Sequence, residues 1–176
     1  SGATGGIMGV NSGFSGTYGQ YVSISGLNIS SAADASTADA GPINMQNGAN
    51  WWRVMDNEVT WPSNITFLSG TIGAKAGGIS GHGQNIWIQF NYDHDVYCAI
   101  GSSESYTNHG IYIDGTGGSE SDAARAMNVD VGWNGFKDNF GGSTIQFQDT
   151  GTLLGTTGHK VHHNWMENAS KYGLNI

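Results

Sequence analysis

Basic residues are scarce in this chain: 6 Lys and Arg stand against 14 Asp and Glu, for a formal net charge of −8. That balance excludes a nucleic-acid partner, because phosphate recognition needs a basic face, and it disfavours an anionic membrane surface. The one cysteine, Cys98, rules out an internal disulfide. No run of about 18 apolar residues is present, so no helix is expected to span a membrane. Residues 1–20 have neither the charged start nor the apolar core of a signal peptide. Charged side chains make up only 11% of the 176 residues, and hydrophobic ones 38%, both low for a set of amphipathic helices. Proline is also rare, at 2 residues, whereas glycine reaches 29. Abundant Gly, Ser, Thr and Asn suits many short strands joined by tight turns.

Strand signals recur along the chain. YVSISGLNIS (21–30) and WWRVMDNEVTW (51–61) alternate apolar and polar residues at period two and each reads as a strand. GPINMQNG (41–48), GGISGHGQ (77–84) with NIWIQFNYDHDV (85–96), HGIYIDG (109–115) with NVDVGWNGFKDN (128–139), and GGSTIQFQD (141–149) with HKVHHNWMEN (159–168) repeat a two-strand unit. ITFLSGTI (65–72) reads as an inserted strand, GGSESDAARA (117–126) as the place of a single helical turn, and YGLNI (172–176) as the start of another unit. Superposed, the units align Asn57, Asn91, Asn134 and Asn164 at one position, with Val54, Ile88, Val131 and Val161 three residues earlier. The partner strand aligns Ile43, Ile79, Ile111, Ile145 and Leu174. The asparagines are 34, 43 and 30 residues apart, so length varies in the connections while the strands keep their pattern, as in a solenoid. A hairpin sandwich would join paired strands by two-residue turns, whereas the like strands here recur about 30–40 residues apart. Each strand should therefore pair in parallel with its counterpart one coil away, with the asparagines forming a ladder.

The phrase apolar-x-apolar-x-x-Asn-x-apolar, present as VMDNEV, VGWNGF and VHHNWM, resembles the right-handed parallel β-helix family, the pectate-lyase-like superfold. The resemblance covers residues 21–176. It implies an all-β, right-handed parallel β-helix (solenoid) of about five to six coils, preceded by an N-terminal loop or degenerate coil over 1–20. YGLNI stops partway through a coil, so further chain, a cap or self-association is expected at that end.

In that superfold a substrate lies along the outer face of one sheet. Outward positions between the Ile ladder are Asn44, Ser80, Tyr112, Gln146 and Asn175, followed by Gln46, His82, Asp114 and Gln148. The family resemblance suggests a polysaccharide lyase, which needs a base and something cationic to hold an enolate. The six basic residues are scattered, and a net −8 chain needs a Ca²⁺ bridge to hold a polyuronate. Asp93, Asp95, Asp114 and Asp130 are the oxygen ligands on offer, without EF-hand spacing. A glycosidase needs two carboxylates across the bond. DVYCAIGSS…NHGIYIDG is similar to the polygalacturonase-type pattern at Asp95, Cys98 and His109-Gly110, but that family's paired aspartates and its Asn-Thr-Asp and Arg-Ile-Lys phrases have no counterpart.

Among the remaining candidates, Tyr92-Asp93-His94-Asp95 reads first as a solvated loop after a strand and second as a histidine oriented by a carboxylate. His162 and His163, as strand neighbours, should face opposite ways and not chelate together. Six tryptophans are many for this length. Trp87, aligned with Arg53, Asp130 and Lys160, is an outward candidate for stacking on sugar rings. The function expected is that of a secreted or surface protein acting on or binding an extracellular polysaccharide by lyase or hydrolase chemistry. Tyr112, Asp114, His109, His82 and Asp95 are the catalytic candidates, and Trp87, Gln146 and Gln148 the sugar contacts. The alternative is a non-catalytic structural, adhesin or filament-forming β-helix. The two differ in whether soluble glycans are degraded.

Overall fold

A computed structural model describes residues 7–9, 20–30, 43–60, 77–95, 109–115, 126–139, 143–149, 158–168 and 172–176. The strand expected at 65–72, the helical turn expected between Gly115 and Ala126, and Cys98 lie outside the described residues. In chain order the strands are β1 (Ile7–Gly9), β2 (Ser23–Ser25), β3 (Asn28–Ser30), β4 (Ile43–Asn50), β5 (Arg53–Met55), β6 (Glu58–Thr60) and β7 (Gly77–Gln89). They continue as β8 (Tyr92–His94), β9 (His109–Gly115), β10 (Met127–Gly132), β11 (Gly135–Lys137), β12 (Ser143–Asp149), β13 (Lys160–His162), β14 (Trp165–Glu167) and β15 (Tyr172–Asn175). The fold is all-β, with no helix among the described residues, and hence none long and apolar enough to cross a membrane.

All strand pairs are parallel, and they form three ladders. Ladder A runs β1-β4-β7-β9-β12-β15, ladder B runs β2-β5-β7-β10-β13, and ladder C runs β3-β6-β8-β11-β14. The long β7 joins A and B into one hydrogen-bonded sheet. Register follows the sequence repeat: Ile7, Ile43, Ile79, Ile111, Ile145 and Leu174 are successive partners in A. Ile24, Val54, Ile88, Val131 and Val161 are partners in B. Residues 7–9, at the N-terminal side, thus supply the first rung of ladder A. Three parallel ladders, each pairing residues about one repeat apart, are compatible with a parallel β-helix.

The apolar columns of the three ladders meet in one core. Ile43, Ile79, Ile111, Ile145, Val54, Ile88, Val131 and Val59 are fully buried. Each such side chain contributes about 1.5–3 kcal/mol by leaving water. Within β7 the chain turns at Gly81 and Gly83, both at positive φ, where a Cβ would collide with the backbone carbonyls of Met45 and Ala49. Glycine is required there.

The stretches 21–30 and 51–61, each expected as one strand, each hold two strands hinged at a single residue, within 21–30 and within the described residues 51–60. The hinges are left-handed: Gly26, Asp56, Phe90, Trp133 and His163 form one column between ladders B and C. Tyr21, Trp51, Asn85, Asn128 and Gly158 form a second between A and B, and Asp95, Asp138 and Asn168 a third after ladder C. One left-handed residue rotates the chain between ladders without losing hydrogen bonds, since the hinge amides still bond one coil away: Asp56 N to Gln89 O at 3.3 Å, Trp133 N to His162 O at 3.2 Å. This is why Val54 and Val59, five residues apart and of opposite parity, both point inward.

The residue after many of these hinges turns into the interior. Between A and B, Trp52, Ile86 and Val129 are buried and Val22 is half-buried, while the residue after Gly158 is His159. Between B and C the residues after Asp56, Phe90, Trp133 and His163 are the asparagines, which form the expected ladder, while Leu27 after Gly26 is exposed. Asn57 Nδ2 donates to Asn91 Oδ1, Asn91 Nδ2 to Asn134 Oδ1, and Asn134 Nδ2 to Asn164 Oδ1, each at 3.0 Å. Each Nδ2 also donates to the backbone of the preceding coil, as Asn91 does to Val54 O at 2.8 Å. Each Oδ1 accepts a backbone amide, as Asn91 does from Asn57 N at 3.1 Å.

Candidate functional site

The sequence candidates separate into three places. The first is the outer side of ladder A. His109 opens β9, and its Nδ1 lies 3.0 Å from the backbone N of Ser143 and 3.1 Å from its carbonyl O, accepting from one or donating to the other according to tautomer. Its ring stacks on Tyr112 at 5.1 Å. The Tyr112 hydroxyl donates to Gln148 Oε1 at 2.7 Å, and Ser143 Oγ donates to Gln146 Oε1 at 3.4 Å. Four of the predicted residues are therefore neighbours. Two of them, however, are covered: His109 and Tyr112 are each 3% exposed. Period two sends Tyr112 out of the ladder, while His109 has the parity of the inward Ile111 and Ile113; what packs around the pair is a tertiary matter. Burial pushes the His109 pKa down to about 4, against the upward pull of the Ser143 backbone. A neutral, weakly basic imidazole that already has a backbone partner is a good structural element and a poor proton acceptor. Asp114 is the register partner of Gln148, and His82 lies in β7 between the two glycines of its turn; the side chains of both are outside the described residues.

Asp95 belongs to the second place, the hinge after ladder C. Residues 92–94, taken from the sequence as a solvated loop, are strand β8. The alternation there is real, and it sends Asp93 inward to 0% exposure. Outward, His94 lies between two carboxylates, with Nδ1 2.7 Å from Asp95 Oδ2 and Nε2 3.1 Å from Glu58 Oε1, and its ring rests on Tyr92 at 4.6 Å. Asp93 occupies a column otherwise made of Ile29, Val59, Phe136 and Met166. Burial holds its carboxyl well above the ordinary range, with the Asn139 amide pulling part of the way back. Gly78 makes room for it, since a Cβ there would strike the carboxylate. Of the other aspartates weighed for calcium, Asp130 bonds Gln89 and His162 on ladder B. Among the described residues no three His, Cys, Asp or Glu side chains converge as ligands.

The third place is the outer face of ladder B, where Trp87 sits in register between Arg53 and Asp130. It lines an open cavity of about 350 Å³ together with Tyr21, Val22, Ser23, Trp51 and Arg53. Tyr21 and Trp51 occupy successive left-handed hinges and lie parallel at 6.3 Å and 7°. Trp51 and Trp87 are 5.7 Å apart, and the Arg53 guanidinium sits 5.6 Å over the Trp87 ring. The result is an aromatic-walled recess lined also by one cation and by the hydroxyl-bearing Tyr21 and Ser23, exposed at Tyr21 and Trp51. Tyr21 and Trp51 escaped sequence reasoning. The available signal was that both fall two residues before the outward position held by Ser23 and Arg53.

A second aromatic column runs along the hinge between B and C, where Trp133 stacks on Phe90 at 6.3 Å and on His163 at 4.1 Å. Phe90 and Trp133 remain about half exposed. His162 and His163, expected on opposite sides, are brought together with their Nδ1 atoms 3.0 Å apart. The expectation assumed extended geometry at both positions. His163 is instead left-handed, with φ of 51°, and that cancels the alternation. In comparisons with protein-family models, curated proteins and solved structures, none matches this chain.

Proposed function

We propose that the chain is a right-handed parallel β-helix, secreted or displayed at a cell surface, that binds an extracellular polysaccharide on the outer face of ladder B. The recess formed by Tyr21, Trp51, Trp87 and Arg53 carries this reading. Aromatic walls offer apolar ring surface to the C–H face of a pyranose, while a guanidinium and a hydroxyl at the rim bond its hydroxyl groups. A volume of about 350 Å³ suits one or two sugar units of a longer chain rather than an enclosed small molecule. Binding without cleavage is favoured over lyase or hydrolase chemistry by the burial and mutual stacking of His109 and Tyr112, whose polar atoms are bonded to the Ser143 backbone and to Gln148. Catalysis on ladder A would need that pair to be reached by substrate.

Affinity electrophoresis through gels containing neutral and acidic polysaccharides tests the reading. At least one glycan should retard the protein, and Trp87→Ala and Trp51→Ala should each lower the affinity by about tenfold or more. Trp165→Ala, on ladder C, should leave it unchanged. Equal retardation of all variants would dismiss the recess as the site, and release of reducing or unsaturated ends would restore the catalytic alternative.

A further inference from the structure

The outer face of ladder B carries a second constellation, two to three coils away from Trp51. His162 lies in the outward column that also contains Gln89 and Gly132. Its Nε2 is 2.9 Å from Asp130 Oδ1, which also accepts from Gln89 Nε2 at 3.0 Å. An Nε2–H donated to Asp130 fixes the tautomer that leaves Nδ1 with a lone pair. Nδ1 is turned toward His163, 3.0 Å from its Nδ1. The preceding coil sets both rings. Gly132 leaves space that the His162 ring fills, since a Cβ there would overlap that ring. Trp133 lies parallel to His163, at 9°.

We propose that His162 and His163 form a two-nitrogen chelate for a divalent transition-metal ion, with Asp130 as the carboxylate that orients His162. With metal–nitrogen bonds of about 2.0–2.1 Å, two nitrogens 3.0 Å apart subtend an angle of about 94° at the ion. That is the cis angle of square-planar or octahedral coordination and is narrower than a tetrahedral site wants. Geometry and the Irving–Williams order both select Cu²⁺, then Ni²⁺, over Zn²⁺. Without metal one Nδ1–H bonds the other Nδ1. To take the ion, the His163 proton moves to Nε2 through solvent, and the two half-exposed rings turn until their lone pairs meet beside the line joining the nitrogens. Waters complete the coordination. A histidine ligand whose far nitrogen bonds a carboxylate is the usual metal arrangement, and removal of that carboxylate weakens binding by about 10–100-fold.

The experiment is titration of Cu²⁺ into the whole chain at pH 7.5, followed by calorimetry and by electron paramagnetic resonance. One equivalent should bind, with hyperfine coupling to two imidazole nitrogens. His162→Ala and His163→Ala should each abolish that coupling and weaken binding by about 100-fold. Asp130→Asn should weaken it by about 10–100-fold while retaining the coupling, and His94→Ala should change nothing. Circular dichroism and urea midpoints verify that each variant folds. A wild-type spectrum without two-nitrogen coupling overturns the proposal, as does stoichiometric binding that survives in both His162→Ala and His163→Ala. In either outcome the contact is only a hydrogen bond between neutral imidazoles.

Discussion

The hinge between ladders B and C and the hinge after ladder C are built alike and solved differently. In both, a left-handed residue precedes a buried asparagine, Asp56 before Asn57 in the one and Asp138 before Asn139 in the other. Between B and C it is asparagine four times running, at 57, 91, 134 and 164, and every amide finds the next one coil away. After ladder C it is Asn139, whose sequence counterparts after Asp95 and Asn168 are Val96 and Ala169. With no amide at those neighbouring positions, Asn139 reaches Asp93 at 3.4 Å, and Asp93 Oδ2 and Thr144 Oγ1 have no hydrogen-bond partner among the described residues. A polar group in a parallel core is stabilising when the repeat supplies its partner in the next coil. It is a liability when it occurs once.

Breaking the satisfied hinge should have the largest effect. Asn91→Ala removes the acceptor of Asn57 N and Asn57 Nδ2 and the donor to Val54 O and Asn134 Oδ1. Several buried groups are left unpaired at about 1–3 kcal/mol each, less what relaxation recovers, so a loss of about 3–5 kcal/mol is expected from urea unfolding. A loss below 1 kcal/mol would mean that the ladder is an ornament of the fold.

The next effect appears on acidification. His109 is buried neutral with a pKa of about 4, against an ordinary 6.5, so the unfolded chain binds its proton more readily than the folded one. Stability from this group is fully present above pH 6.5 and is lost as pH falls from 6.5 to 4, by about 3 kcal/mol in total. His109→Gln should lack that loss, which urea midpoints between pH 4 and 7 would reveal as converging curves. Parallel curves would show that the imidazole is not sealed from solvent.

What could be read beforehand follows from the same contrast. The Ile column of ladder A, the Val/Ile column of B and the asparagine ladder were legible because each repeats at a fixed offset, and period two then fixes register. The hinges were not. Tyr21, Trp51, Phe90 and Trp133 are bulky residues in a conformation that local preference resists by about 1–2 kcal/mol each, and only pairing with the adjoining coils holds them there. The proximity of His162 to His163 was lost for that reason. Trp87 was recoverable because its outward register is a strand property. The cover over Tyr112 was not, because strand period says which way a side chain points and nothing about what meets it. Asp93 escaped too, since a single carboxyl breaks an apolar column without leaving a pattern.

The smallest effect at low pH belongs to the unsatisfied hinge. In Asp93→Val an apolar group of similar volume enters a column of Ile29, Val59, Phe136 and Met166, in the space that Gly78 leaves. At pH 4 the wild-type carboxyl is neutral, and the exchange of an incompletely bonded acid for a methyl pair should change stability by no more than about 1 kcal/mol. The sign of the pH dependence is opposite to that of His109. Asp93 has its folded pKa raised above the unfolded value of 3.8, so the folded chain holds the proton more tightly. Its contribution is complete below 3.8 and is lost as pH rises toward the folded value. Wild type should therefore fall behind Asp93→Val with increasing pH, by up to about 1.4 kcal/mol per unit while the folded carboxyl stays protonated. Between pH 4 and 6.5 the two groups pull the wild-type curve in opposite directions, so a flat wild-type profile is compatible with both and only the variant-minus-wild-type differences separate them. If the Asp93→Val difference is constant across that range, the carboxyl is not buried as a neutral acid, and the contrast between the two hinges fails at its unsatisfied side.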